Sequence, residues 1–309
     1  MNVTGLRDWA RLGGGGHNSE GNALLYRVLV TAAELASYLN NTSLSTSWSA
    51  NATALKSKFN EVFWLPSAGM YRDNSTTDLC PQDANSMAVL FNLTNSPEQA
   101  SSVSVGLTSN WNELGAVAPE LPDTISPFIG SLELQAHFAS GNDERAMDLL
   151  RREWGYMLYT NLSVQSTLLE GFTANGSLGY RSYRGYNYDA AYTSHAHGWS
   201  SGPTSALTFY VLGITVTSPQ GLTWSFDPHT SGLEAAEGGF ETPLGWFGAK
   251  WSWRADGKIF TASLDMPRGT SGKVRVPGKG SVSVNGKRVT KDAEGFVQVP
   301  GGNHTISVG

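Results

Sequence analysis

The chain has little of several things, and each scarcity narrows what it can be. Its 309 residues hold one cysteine, Cys80, so no intrachain disulfide framework exists and the fold must rest on its core. Charged residues make up only 15%, with 21 Lys and Arg against 26 Asp and Glu. The net charge of −5 supplies no cationic footprint for nucleic acid or anionic lipid. No apolar run approaches the length of a membrane span. The Gly13–Gly16 run followed by His17 lacks both a preceding strand and a following Gly-Lys-Ser/Thr, so it reads as a loop rather than a phosphate cradle. Residues 1–16 contain no basic stretch leading into an apolar one, so no signal peptide is readable there. The expectation is the C-terminal portion of something longer.

What the chain does have is aromatic side chains and glycosylation sequons. Ten Trp, eleven Tyr and twelve Phe promise a large core, with a remainder suited to carbohydrate contact. Asn-x-Ser/Thr recurs at Asn2, Asn40, Asn41, Asn51, Asn74, Asn92, Asn161, Asn175 and Asn303, an excess over chance. It points to N-glycans and a secreted, extracellular protein.

Seven helices are predicted, at about 19–39, 51–63, 82–93, 97–109, 128–140, 143–159 and 203–213. Ser19 is the expected N-cap of the first, and Pro203 opens the last. Beyond residue 215 short β-branched alternations take over: 222–226, 249–253, 259–264, 273–276 and 281–284. Asp256-Gly257 and Asn285-Gly286 stand where hairpin turns belong. The layout is therefore a helical domain over 1–214 and an antiparallel β-sandwich over 215–309.

The most informative segment, Leu168 to Ser205, reads LLEGFTANGSLGYRSYRGYNYDAAYTSHAHGWSSGPTS. After one carboxylate, Glu170, come five tyrosines, two arginines, two histidines and a Trp on Gly/Ser-rich turns. A segment built only for packing carries aliphatics at helical spacing; this one suits the CH faces and hydroxyl edges of a sugar. Glu170 beside this loop is a candidate for a partly desolvated, poised carboxylate, with an ordinary surface glutamate as the alternative. His195 and His197 alternate on a turn, but no cluster of zinc spacing accompanies them, so no metal or other cofactor is expected. Trp199 reads equally well as the wall of a sugar pocket or as packing under the loop. The tyrosines at 180, 183, 186, 188 and 192 either stack on substrate or bind the loop to the domain. DERAMDLLRRE, 143–153, reads as a solvated helix face with opposite charges at helical spacing.

In order along the chain, DWARLGGGGHNSEGNALLYRVL, SPFIGSLELQAHFASGNDERAMDLLRREWGYML and the Glu170 segment ending SHAHGWSSGPTSAL resemble the C-terminal half of fungal α-L-rhamnosidases of glycoside hydrolase family 78. The tail AKWSWRADGKIFTASLDMPRGTSGKVRVPGKGSVSVNGK is similar to that family's C-terminal β-sandwich. The resemblance implies an (α/α)6-barrel-type helical domain, here partial, followed by the sandwich. It also implies inverting hydrolysis of terminal α-L-rhamnose from plant glycosides or pectic side chains, with a carbohydrate as partner. Glu170 takes the role of general base, His197 bonds a rhamnose hydroxyl, His195 supports the loop, and Trp199 and the pair Asp8-Trp9 face the sugar. His17 and Glu20 are secondary candidates near the rim. The family's acidic motif, which holds the general acid, lies upstream of the equivalent of Asp8 and is not in this sequence. A non-catalytic carbohydrate-binding protein and a lyase acting at rhamnose-linked uronate, with Arg181 or Arg184 assisting, are the competing readings.

Overall fold

The computed structural model describes residues 1–3, 15–162, 167–181, 186–187, 189–254, 256 and 259–309. It divides into two units, Met1–Gly202 and Pro203–Gly309.

The first unit is helical. Helices α1 (Ser19–Tyr38), α2 (Thr42–Phe63), α3 (Gln82–Leu90), α4 (Pro97–Leu107), α5 (Pro127–Ala139) and α6 (Asp143–Tyr159) lie in it. Short side chains start several of them. Asn18, not the expected Ser19, caps α1 by accepting from the Gly21 amide at 2.9 Å. Asn41 accepts from Leu44 N at 3.1 Å and starts α2 nine residues ahead of the expected position. The intervening TSLSTSWSA lacks an apolar stripe, so its helicity comes from the cap and from the continuing helix behind it. Pro127 stands in the first turn of α5, and Asp143 and Glu144 in the first turn of α6 oppose its dipole. Phe59, Phe63, Met70, Tyr71, Met87, Leu93, Val103 and Leu107 form the main core, with α1 packed on α2, α3 on α5 and α5 on α6. Three two-residue ribbons connect these helices. They are β1 (Trp64–Leu65) with β2 (Met70–Tyr71), β3 (Trp111–Asn112) with β4 (Gly115–Ala116), and β5 (Thr124–Ile125) with β6 (Phe172–Thr173).

The second unit opens with the end of α7 (Gly202–Ala206), which runs into a wider π-type turn over Leu207–Leu212. The sequence groups this helix with the helical domain, but residues 203–212 pack within the second unit. Gly213 (φ 86°) stops it, because a Cβ there would stand 2.5 Å from the Pro228 backbone. Eight strands follow: β7 (Ile214–Val216), β8 (Thr223–Phe226), β9 (Ala235–Thr242), β10 (Gly245–Arg254), β11 (Ile259–Val274), β12 (Val282–Val284), β13 (Lys287–Arg288) and β14 (Val297–Val308). Their order is β13-β12-β14-β11-β10-β9, with β8 joining β11 to β7. Pairing is antiparallel except between β8 and β11, which run parallel. The long β11 breaks register between Met266 and Ser271; its first half pairs with β10 and its second with β8, so one strand serves both layers. Trp224, Phe226, Phe247, Trp251 and Phe260 fill the interior. Gly272 is obligatory there, since a Cβ would lie 2.2 Å from the Trp224 ring. Asn285 and Gly286 take φ of 50° and 75°, the turn expected between β12 and β13. At the other expected turn, the pair Arg254 and Ile259 flanks Asp256, and Gly257 lies outside the described residues.

Candidate active site

The candidate site is the junction where Leu168–Glu170 meets Ser194–Ser200 in the helical unit. The two segments are laced by main-chain bonds, Glu170 N to Ser194 O at 2.9 Å and His197 N to Leu168 O at 2.7 Å. Side chains lock them further: Ser200 Oγ donates to Leu169 O at 2.6 Å, and Trp199 Nε1 to Glu170 O at 2.8 Å. From α6, Trp154 Nε1 donates to Ser200 O at 2.7 Å. Gly171 then lets the chain enter β6, where a Cβ would stand 2.7 Å from the Tyr180 ring and 3.0 Å from Ile125 O. No larger residue fits without moving the backbone that carries Glu170.

Glu170 is buried, and both of its carboxylate oxygens are engaged. Tyr186 Oη donates to Oε1 at 2.6 Å and the Ser194 amide to Oε2 at 3.1 Å. Two donors from two directions fix the plane of the carboxylate while leaving each oxygen a further lone pair. Burial, then the hydrogen bond to Glu170, hold the Tyr186 phenol above its ordinary pKa, so it stays protonated and remains a donor. The Arg181 guanidinium lies over the Tyr186 ring at 5.2 Å. Tyr180 is fully buried and meets Tyr186 edge-on; burial first and the Glu170 charge second push its phenol up as well.

Beside the carboxylate stands an aromatic wall. The His197 and Trp199 rings lie 4.3 Å apart, and Trp199 stacks on Phe128 of α5 at 5.2 Å and 17°. Ala118, Leu121 and Ile129 back this stack. Glu170, His197 and Trp199 are thus brought together, and His195 sits in the same half-buried turn. Trp199 packs under the loop through its ring, one of the two readings the sequence offered, and its nitrogen also ties the Glu170 backbone. Of the tyrosines, Tyr186 supports Glu170 and Tyr180 packs, while Tyr192 is exposed and tilted 6.0 Å from Tyr186. Asp8, Trp9, Tyr183, Tyr188 and Arg184 lie outside the described residues. His17 is exposed and Glu20 buried in the first turn of α1.

Sequence reasoning missed a second set of buried carboxylates. Glu120 accepts from the Gln82 and Asp83 amides at 2.8 and 3.0 Å, where α3 begins without a cap of its own. Glu133 receives Gln82 Nε2 at 2.7 Å, Trp111 Nε1 at 2.6 Å and His137 Nε2 at 3.2 Å; Ser104 bonds the other nitrogen of His137 at 2.7 Å. Glu153 corrects the reading of 143–153 as a solvated face, because its side chain is fully buried. A Cβ on Gly130 would stand 2.4 Å from its Oε1, and one on Gly115 3.0 Å from its Oε2. Burial, then the neighbouring Glu133 charge, push its pKa well above the ordinary glutamate value, which favours the protonated form. No local sequence signal marks it, because the glycines that clear its side chain, Gly115 and Gly130, belong to other parts of the chain.

Among the described residues no group of three or more His, Cys, Asp or Glu is arranged to hold a metal ion, and no helix is long and apolar enough to cross a membrane.

Residues 1–119 match the model of the bacterial alpha-L-rhamnosidase 6 hairpin glycosidase domain, and residues 213–291 that of the bacterial alpha-L-rhamnosidase C-terminal domain. Glu170 and His197 lie between the two matched segments. Solved structures cover that interval. The α-L-rhamnosidase of Streptomyces avermitilis, complexed with L-rhamnose, superimposes with a TM-score of 0.74 at 16% identity, over 99% of this chain and 28% of that one. The Dictyoglomus thermophilum enzyme gives 0.74 at 18%, over 99% and 34%. The Aspergillus terreus enzyme gives 0.68 at 20%, over 93% and 30%. The chain therefore spans about a third or less of the length of these structures. No curated protein matches it in sequence. The matched family models are bacterial, so the kinship does not single out fungi.

Proposed function

We propose that this chain, which carries two domains of the α-L-rhamnosidases, is part of a glycosidase that releases terminal α-L-rhamnose from plant glycosides or pectic side chains with inversion. One observation carries the reading: the buried Glu170 carboxylate, gripped by Tyr186 and the Ser194 amide beside the His197–Trp199 wall. In that setting Glu170 takes a proton from a water as the water attacks the anomeric carbon. Inversion needs about 6.5–9.5 Å between this base and the acid, so that the water fits. His197 and Trp199 offer a hydrogen bond and a flat face to the sugar. The acid is contributed by residues outside this chain. The exposed apolar stripe Leu24, Val28 and Leu35 on α1, continued by Leu39 at its C-cap, suits a further helical layer completing the barrel.

The test uses 2,4-dinitrophenyl α-L-rhamnoside, whose leaving group departs with little help from an acid. The expected result is rhamnose release, first as the β-anomer by NMR, lowered about 10²–10⁴-fold in Glu170→Gln. Unchanged turnover in that variant contradicts the role of Glu170, and α-anomer released first contradicts inversion. Sugar bound without turnover favours a non-catalytic binding protein; an unsaturated product favours elimination. Export through a glycosylating route is also proposed, resting on the nine sequons. Mass spectrometry of protein from its natural source checks it, and unmodified asparagine at all nine positions contradicts it.

A further inference from the structure

The outer face of the β unit carries an arrangement that the reading above does not use. Four adjacent strands bring Gly239, Gly248, Asp265 and Asn303 side by side in one row, from β9 through β10 and β11 to β14. Alternation along β10 puts Trp246 on the same face as Gly248, while Phe247 points into the core. Trp246 is 45% exposed, and its indole lies flat on the backbone of both glycines. A Cβ on Gly239 would be 2.4 Å from its ring and one on Gly248 2.2 Å from Nε1. A side chain at Gly248 would lift the ring off the sheet, and one at Gly239 would meet both the ring and the Phe247 carbonyl oxygen, 2.3 Å from its Cβ. The two glycines therefore fix one indole face downward and present the other to solvent.

Beyond the ring edge is a hollow of about 620 Å³, lined by Trp246, Lys250, Asp265, Asn285, Asn303 and Thr305. A second hollow of about 540 Å³ meets it at Trp246, Asp265, Asn303 and His304 and continues past Pro267 and Arg268. The polar groups around it are held in place. Asn285 Oδ1 accepts from Thr305 N at 2.8 Å, and its Nδ2 bonds His304 Nδ1 at 3.1 Å. His304 Nε2 in turn bonds Pro300 O at 2.8 Å, which makes Nε2 the protonated nitrogen. Lys250 is paired with Glu237 at 2.8 Å. An aromatic face bordered by the exposed Asp265 carboxylate, the Asn303 carboxamide and the anchored Asn285 carboxamide matches a pyranose, with its CH face on the ring and its hydroxyl edge toward Asp265 and Asn303.

We propose that this surface is a saccharide-binding site, separate from Glu170, that takes a neutral pyranosyl oligosaccharide running from one hollow into the other across Trp246. Asn303 is also the acceptor of the sequon Asn303-His304-Thr305, so a glycan on it would lie over the same indole. Protein made in a bacterial host lacks that glycan and isolates free ligand.

The experiment is calorimetric titration of that protein with cellohexaose, xylohexaose and mannohexaose. At least one binds in the expected result. Trp246→Ala, an exposed position that leaves the core intact, weakens binding at least tenfold, as does Gly248→Val, which displaces the ring. Glu170→Gln leaves the affinity unchanged, so failure of the active-site reading would not touch this one. Three results overturn the proposal: no binding by any of the three sugars, wild-type affinity in Trp246→Ala, or loss of binding in Glu170→Gln. So does a shift in tryptophan fluorescence, absent in Trp246→Ala, on deglycosylating protein from a glycosylating host when the bacterial protein binds nothing. That outcome would assign the platform to the protein's own glycan.

Discussion

The two units differ most in where they put charge. The helical unit buries Glu20, Asp73, Asp83, Glu120, Glu133, Glu153 and Glu170, whereas among its described residues the β unit buries no charged side chain at all. Removing a carboxylate from water is costly unless donors or a retained proton compensate. Glu133 and Glu170 are compensated by donors, whereas burial shifts Glu153 toward its protonated form. A unit that bears such costs repeatedly is one whose interior serves something besides stability. The β unit, with Trp224, Phe247, Trp251 and Phe260 inside and its Lys and Asp outside, is built the opposite way. Its candidate chemistry is accordingly on a surface.

Several changes would break or sharpen that contrast. The largest stability effect belongs to the apolar core: Trp251→Ala should cost about 3–5 kcal/mol in guanidinium unfolding. It leaves a cavity and orphans Val211 O, now bonded by the indole at 2.9 Å. A cost below 1 kcal/mol would mean the β core is not the source of that unit's stability.

The next concerns proton linkage. The folded pKa of Glu153 stands above its unfolded value, so the folded state holds the extra proton. Its contribution is fully present below the unfolded pKa, near 4.3, and is lost as pH rises through the folded value. Glu153→Gln, which keeps the shape without the ionisation, should flatten that decline in denaturation series from acid to neutral and mildly alkaline pH. Parallel wild-type and variant curves would show that Glu153 ionises freely.

Smaller effects test the β surface. Gly286→Ala forces a Cβ into a left-handed turn (φ 75°) and should cost about 1–2 kcal/mol. Lys250→Ala removes an exposed pair with Glu237 and should change stability by at most about 0.5 kcal/mol. A larger loss there would make surface charge matter in the unit where the contrast says it does not.

The same contrast explains what was legible in the chain. Helices α1, α3, α4, α5 and α6 announce themselves through caps, first-turn prolines and apolar spacing, which are local properties. The first half of α2 and strands β9 and β14 do not. AAEGGFET carries Gly239, which lies under the Trp246 ring, and Gly238, which faces Leu212, and VQVPGGNHTISV is interrupted where it passes the register break in β11. The burial of Glu170 was legible because its loop is unusual in composition. Tyr186 as its partner was not, since sixteen residues of irregular chain separate them. Glu153 reads as one charge among many in a polar helix, and only packing against Gly130 and Gly115, from distant parts of the chain, reveals its burial.

Azide rescue asks most directly whether Glu170 delivers a nucleophile to the face of the sugar opposite the leaving group. Glu170→Ala should hydrolyse 2,4-dinitrophenyl α-L-rhamnoside slowly, and added sodium azide should restore turnover by taking the place of the activated water. The expected product is β-L-rhamnosyl azide. Either no rescue, or an azide that keeps the α configuration, would contradict it.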